Sequence, residues 1–179
     1  GAVHILVNNA GFQSIHPIPD FPEDTWDRMI ALMLSAPFLL TKYAWPHLQA
    51  QRWGRIINMG SVHSLRASPF KAGYISAKHG LAGLTRAIAR EGGPYGIHAH
   101  LICPGYVRTP LVEKQIADQA RTRGIPADQV VEQVMTAPNA IKRLIEPHEI
   151  AAVVRFLCSD EAAAMTGAIV PVDLGWTAG

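Results

Sequence analysis

The sequence predicts an α/β fold in which a parallel sheet is covered by helices. Short runs rich in branched apolar residues, such as His4-Ile5-Leu6-Val7-Asn8 and Arg55-Ile56-Ile57-Asn58-Met59, alternate with longer stretches of helical periodicity. That alternation is the pattern of parallel strands joined by crossover helices, for which right-handed connections are expected. In addition, the strand-like runs end in small or polar residues: Asn9-Ala10-Gly11, Gly60-Ser61 and Pro104-Gly105. Ligands of open parallel sheets bind outside the carboxyl ends of the strands, so these ends are where a site is expected.

The elements follow in order. The strand His4 to Asn8 closes in the turn Asn9-Ala10-Gly11. Asp20 precedes Glu23 by three positions, a capping-box spacing, and Pro22 suits a first helical turn. The helix that follows carries Trp26, Met29, Ile30 and Met33, is expected to kink at Pro37, and runs to Gln51. Gly54 breaks it before the second strand, Arg55 to Met59. A loop over 60–70 leads into the clearest helix, where Tyr74, Ala77, Leu81, Leu84 and Ile88 recur until Gly92-Gly93-Pro94 stops it. Ile97 to Cys103 is the third strand. Residues 109–137 are helical but more polar, interrupted at Gly124-Ile125-Pro126, and are expected to form a lid. Pro147 opens a helix with Ile150, Val153, Val154 and Leu157 on one face, and Ala168 to Val172 is the last strand.

At 179 residues, with 49% hydrophobic and 17% charged, the chain suits one domain and is too apolar for disorder. Its most apolar window, Met29 to Leu40, is too short for a membrane span and is broken by Ser35 and Pro37. A net charge of +2 without a basic run gives no footprint for nucleic acid or an anionic membrane. Cys103 and Cys158 match no metal spacing and read as buried, reduced thiols, in keeping with a cytoplasmic location. His98 and His100 share a face of a strand, but no third ligand of suitable spacing accompanies them, so no metal is expected.

Tyr74 and Lys78 are four apart on a helix and so share a face. A free phenol titrates near 10 and is a poor base at neutral pH; a nearby ammonium favours the phenolate. Ser61 lies thirteen residues before Tyr74 at a strand end, which places Ser61, Tyr74 and Lys78 on one rim.

The NNAG turn at 8–11, Ser61, the Tyr74-x-x-x-Lys78 motif and PGYVRT over 104–109, in this order and spacing, resemble the short-chain dehydrogenase/reductase family along 1–179. The resemblance implies a Rossmann-like, doubly wound parallel sheet and hydride transfer between NAD and a substrate carbon. Tyr74 would exchange the proton with the substrate oxygen, Ser61 would hydrogen-bond that oxygen, and Lys78 would lower the tyrosine pKa and hold the nicotinamide ribose. Pro104, Gly105, Val107 and Thr109 would line the nicotinamide, with Asn8, Ala10 and Gly11 along the rest of the cofactor.

Three longer stretches, GSVHSLRASPFKAGYISAKHG, RTPLVEKQI and VDLGWTAG, are similar to the subgroup of that family that interconverts 3-hydroxybutyrate and acetoacetate. The similarity implies a carboxylate grip from Gln13, His63, Lys71 and Gln115, with Trp176 as a nearby aromatic. A short hydroxy acid offers one carboxylate, best held by an ammonium plus neutral donors. Taken alone, Lys71 reads as a solvated lysine and Gln115 as a polar residue on a mobile helix; together in register the four favour the grip. Preference for NAD over NADP and a homo-tetramer paired through the two long helices, about 22–51 and 72–92, are inherited from the resemblance.

The pattern also departs from the family. The glycine-rich turn and the selector for the adenosine ribose are absent, and would precede Gly1 within roughly two βα units of about thirty residues each plus a strand. The chain is therefore expected to be the C-terminal portion of a longer domain, inactive as it stands, with the first strand left as an apolar edge. Met33 stands where the family usually has an Asn completing a tetrad, and a thioether cannot donate a hydrogen bond. His100 replaces an Asn often found before PG, and Leu174 interrupts an ending usually written with two glycines. Two rival readings stay open: a sugar or acyl-thioester ketoreductase, and a non-catalytic remnant kept for subunit contacts.

Overall fold

A computed structural model describes residues 1–178, apart from the side chains of Leu111, Lys114, Asp118, Gln119, Thr122 and Arg123. Four parallel strands, β1 (Ile5–Asn8), β2 (Gly54–Met59), β3 (Ile97–Pro104) and β4 (Ile169–Val172), lie side by side in chain order. The helices are α1 (Glu23–Ile30), α2 (Ala36–Gln51), α3 (Ala72–Gly92), α4 (Pro110–Arg123), α5 (Ala127–Val130) and α6 (Pro147–Cys158).

Strand alternation divides the core into two layers. Ile56, Ile97 and Ala99 pack on one face against Ala44 and Leu48 of α2 and Ile88 and Ala89 of α3. On the other face Ile57 and Ile102 meet Ile150 and Leu157 of α6. This arrangement corrects one expectation. The sheet advances in one direction, yet α6 covers the face opposite α2 and α3, so the third crossover has the opposite hand to the first two. The bias to right-handed crossovers comes from strand twist fed directly into a helix. The connection over 105–168 contains three helices and is long enough to pass round the sheet end.

The α1–α2 run also differs from expectation. Asp20 ends a short 3₁₀ turn (Ile18–Asp20) and makes no cap; Pro22 is the N-cap, and no side chain caps α1. A π turn over Ala31–Ser35 joins α1 to α2 just before Pro37, whose missing N–H loosens the ladder there. That wider turn carries Met33 inward, and Met33 is fully buried. Strand β1 lies at the sheet edge: Ile5 and Val7, on the same face as Ile57, are close to half exposed because the α6 layer stops short of them. Cys103 is buried, whereas Cys158 is only half-buried, and both are free thiols.

Candidate active site

The carboxyl ends of β1, β2 and β3, the first turns of α3, the helical segment after β3 and the C-terminal turn enclose a cleft of about 610 Å³. Ser61 follows β2 in an extended conformation and caps the 3₁₀ turn Val62–Ser64. Its Oγ accepts from the His63 N–H at 3.2 Å, and Ser64 Oγ accepts from the Ser61 N–H at 3.2 Å. This reciprocal cap holds His63 at the cleft wall.

Ser61, Tyr74 and Lys78 all line the cleft. The Ser61 side chain lies close enough to the Tyr74 phenol to favour its ionised form, and Lys78 Nζ donates to the Met59 carbonyl at 2.6 Å while lying 5.5 Å from the Tyr74 ring centroid. Burial pulls the Lys78 ammonium down to about 8. Burial also pushes the Tyr74 phenol up, against the lowering influence of Ser61. Burial is the largest influence on the phenol in this geometry, and the ammonium donates to a backbone carbonyl. Met33 packs with Met29, Ala77 and Tyr74, and its sulfur closes over Gly11.

A second group stands beside these, with the His63 ring 6.1 Å from the Tyr74 ring. Lys71 Nζ lies 3.1 Å from His63 Nε2, and His63 Nδ1 lies 3.3 Å from the Arg66 carbonyl. A carbonyl only accepts and an ammonium only donates, so the geometry assigns the ring proton to Nδ1 and leaves Nε2 as acceptor. Burial first, then the charge of Lys71, holds His63 down to about 4, and burial lowers Lys71. Trp176 meets the His63 ring edge-on at 5.6 Å. Gln13 and Gln115 line the same cleft, with Gln13 Oε1 accepting from the Ser14 N–H at 3.1 Å. Phe70, immediately before Lys71, has φ +67, a left-handed conformation unusual for an aromatic residue.

Pro104, Gly105, Val107, Thr109 and Gly11 line the cleft, but Asn8 and Ala10 do not. Asn8 is engaged elsewhere. Its Nδ2 donates to Asn58 Oδ1 at 2.7 Å, Asn58 donates to Thr85 Oγ1 at 2.9 Å, and Thr85 donates to the Leu81 carbonyl at 2.8 Å. The strand alternation turns Asn8 into the layer beneath α3, while Asn9 reaches the cleft. Phe12, Ser68, Tyr106 and Asn139 also line it and were not singled out from the sequence. Tyr106 lies inside PGYVRT, whose spacing was the available signal; Asn139 is brought in only by the tertiary fold. Among the described residues no cluster of His, Cys, Asp or Glu is arranged to hold a metal, and no helix is long and apolar enough to cross a membrane.

The donor set fits the nicotinamide end of a dinucleotide. Lys78 has three donors and directs one to Met59, leaving others for ribose hydroxyls, and the Pro104–Thr109 segment supplies a flat wall. Among the described residues no glycine-rich turn opens a helix toward this cleft to take a pyrophosphate.

Comparison with known proteins adds to this geometry. Residues 1–177 match the family model described as enoyl-(acyl carrier protein) reductase. The chain is 50% identical over 178 residues to a D-beta-hydroxybutyrate dehydrogenase of Rhizobium meliloti, covering 99% of this chain and 69% of that protein. It is 42% identical to the D-beta-hydroxybutyrate dehydrogenase of Cupriavidus necator, with the same coverage of each. A solved structure of a 4-hydroxyisoleucine dehydrogenase mutant complexed with NADH and succinate superposes with a TM-score of 0.86 at 31% identity, over 98% of this chain and 68% of that one.

Proposed function

The chain belongs to the short-chain dehydrogenase/reductase family, and on that premise we propose that it carries the proton-transfer and substrate-binding machinery of an NAD-dependent 3-hydroxybutyrate dehydrogenase. The observation that carries this reading is the pairing of Lys71 with His63 in the same cleft as Ser61, Tyr74 and Lys78, with the His63 ring edge-on to Tyr74 at 6.1 Å. A sugar or acyl-thioester substrate has no need of a half-buried ammonium in this cleft, whereas a short hydroxy acid does. The identity to two hydroxybutyrate dehydrogenases supports it, as does the succinate, a small carboxylate, held together with NADH in the 4-hydroxyisoleucine dehydrogenase structure.

When bound, NAD supplies the hydride acceptor. The protein's own groups do the rest. Lys71, His63, Gln13 and Gln115 hold the carboxylate and set the position of the hydroxyl carbon. Tyr74 takes the hydroxyl proton as general base, and Ser61 donates to the same oxygen. Lys78 would order the ribose hydroxyls and keep a positive charge beside the phenolate that accepts this proton and becomes phenol. Pro104, Gly105, Val107, Thr109 and Gly11 wall the nicotinamide end, and residues 109–137 act as the lid. Two free thiols support a reducing, cytoplasmic location, and the exposed Phe38, Leu40 and Tyr43 on α2 support self-association through the long helices.

The test is turnover of 3-hydroxybutyrate with NAD, followed by NADH absorbance. It compares this chain with a chimera in which the segment of the Rhizobium relative outside the match precedes Gly1. The expected result is no turnover or measurable NAD binding by the chain as it stands and turnover by the chimera. Activity of the chimera on acyl-thioesters but not on hydroxybutyrate would overturn the substrate; micromolar NAD binding by the chain alone would overturn the expected inactivity.

A further inference from the structure

The C-terminal turn presents a carboxylate that the proton-transfer and substrate-binding groups do not include. Asp173 is buried at the end of β4, and its acceptors are directed into the turn itself. Oδ1 accepts from the Gly175 N–H at 3.0 Å; Oδ2 accepts from the Thr177 N–H at 2.9 Å and from the Thr177 hydroxyl. The turn needs such a tie, because two successive residues, Leu174 at φ +56 and Gly175 at φ +83, take the left-handed conformation. It is also held from outside, with the Leu174 carbonyl accepting from Ala140 and Ile141 at 2.8 and 3.1 Å.

Two features of the tied turn reach His63. Trp176 lies edge-on to its ring at 5.6 Å. The Thr177 carbonyl accepts from the Arg66 guanidinium at 3.3 Å, and the carbonyl of that same Arg66 accepts from His63 Nδ1. One carboxylate thus fixes the imidazole from its ring edge and from its protonated nitrogen. The nitrogen that remains, Nε2, is the one facing Lys71.

We propose that Asp173 is a positioning residue for the His63–Lys71 pair, acting through Trp176 and through the Thr177–Arg66 contact to hold the tautomer and orientation that aim the Lys71 ammonium into the cleft. It touches neither the reacting atoms nor the substrate. The inference deepens the reading of His63 and Lys71 as the carboxylate grip and rests on it for its functional meaning.

The experiment is histidine-ring nitrogen NMR on the full 179-residue chain, wild type against Asp173→Asn and Thr177→Val, each also titrated with sodium acetoacetate. The wild type is expected to show His63 as the single Nδ1–H tautomer with its midpoint near 4. In D173N the two tautomers mix and the midpoint climbs toward the ordinary value. Acetoacetate binding weakens by about fivefold, the equivalent of one net hydrogen bond. T177V moves His63 the same way by less. A D173N protein that melts earlier but leaves the His63 tautomer and midpoint unmoved overturns the proposal, since a purely structural tie would do that. Should D173N not fold, an unmoved His63 in T177V overturns it equally. If His63 responds to both variants but the wild type binds no acetoacetate, the positioning role stands and the carboxylate reading falls.

Discussion

The Met33 thioether and the Lys78 ammonium close on the same point above Gly11, where a methyl group would lie 3.2 Å from the sulfur and 3.8 Å from the nitrogen. Burial depresses the ammonium to about 8, although it still donates to the Met59 carbonyl; the apolar Met33 side chain is part of what excludes water from this corner. Replacing Met33 by Asn supplies a carbonyl oxygen at that spot. The Lys78 midpoint is expected to rise in M33N while stability falls by about 2 kcal/mol, because a filled apolar site becomes smaller and polar. Lysine-methylene NMR titration and urea melts read the two effects separately. A Lys78 midpoint that stays near 8 would show that the Met33 side chain has no part in its depression.

Removing the Lys71 ammonium should weaken acetoacetate binding by about tenfold to a hundredfold, the loss of one charge-assisted hydrogen bond. In a chimera that turns over, K71A should raise KM for hydroxybutyrate and leave kcat within a few-fold. An unchanged KM would favour a substrate without a carboxylate.

Acid should destabilise the fold through buried imidazoles. His63 and His100 are both held down to about 4 from an ordinary 6.5. Between those values the unfolded chain binds more protons than the folded one, so stability rises with pH across that window. Their contribution is fully present above 6.5 and is lost as the pH falls toward 4. Urea midpoints measured from neutral pH downward should show this slope, and H100N should flatten part of it. A flat profile would mean that these rings find proton acceptors in the folded state.

Phe70 sits in the left-handed region at φ +67 with its ring more than half exposed. Glycine relieves that strain but adds freedom to the unfolded chain, so F70G should stabilise by a net of about 0.5 kcal/mol. Thermal melts decide it, and a lower Tm would show that the ring contributes packing that its exposure hides.

Much of this was legible in the residues because the relevant signals are local. Tyr74 and Lys78 share a face by spacing alone, and the strand ends announce themselves by small residues. Gln13, His63, Lys71, Gln115 and Trp176 all line one cleft, although they span most of the chain. What could not be read depends on how layers stack. The opposite hand of the third crossover follows from α6 choosing the far face, and no local pattern encodes that choice. The hydrogen bond of Lys78 to the Met59 carbonyl and the burial that raises the Tyr74 phenol both depend on how the layers pack, which the i, i+4 spacing does not encode. Asn8 belonged to a motif, and the motif gave no sign that its side chain would turn under the sheet.

That buried Asn8–Asn58–Thr85 chain acts as an alignment pin for β1. A strand of only four residues makes few ladder contacts with β2, so a buried polar chain does much to fix its register. A slip of one residue would place Val7 or Asn9 beneath α3, strand the Asn58 amide without its partner, and expose the Asn8 amide on the opposite face. Leaving a buried amide unmatched costs about 1–3 kcal/mol, a penalty that an apolar pair at the same place would not impose. The NNAG turn therefore inherits its place on the cleft rim from a polar contact one residue upstream, so a substitution at Thr85 or Asn58, remote from any ligand, should be felt first as a displaced rim.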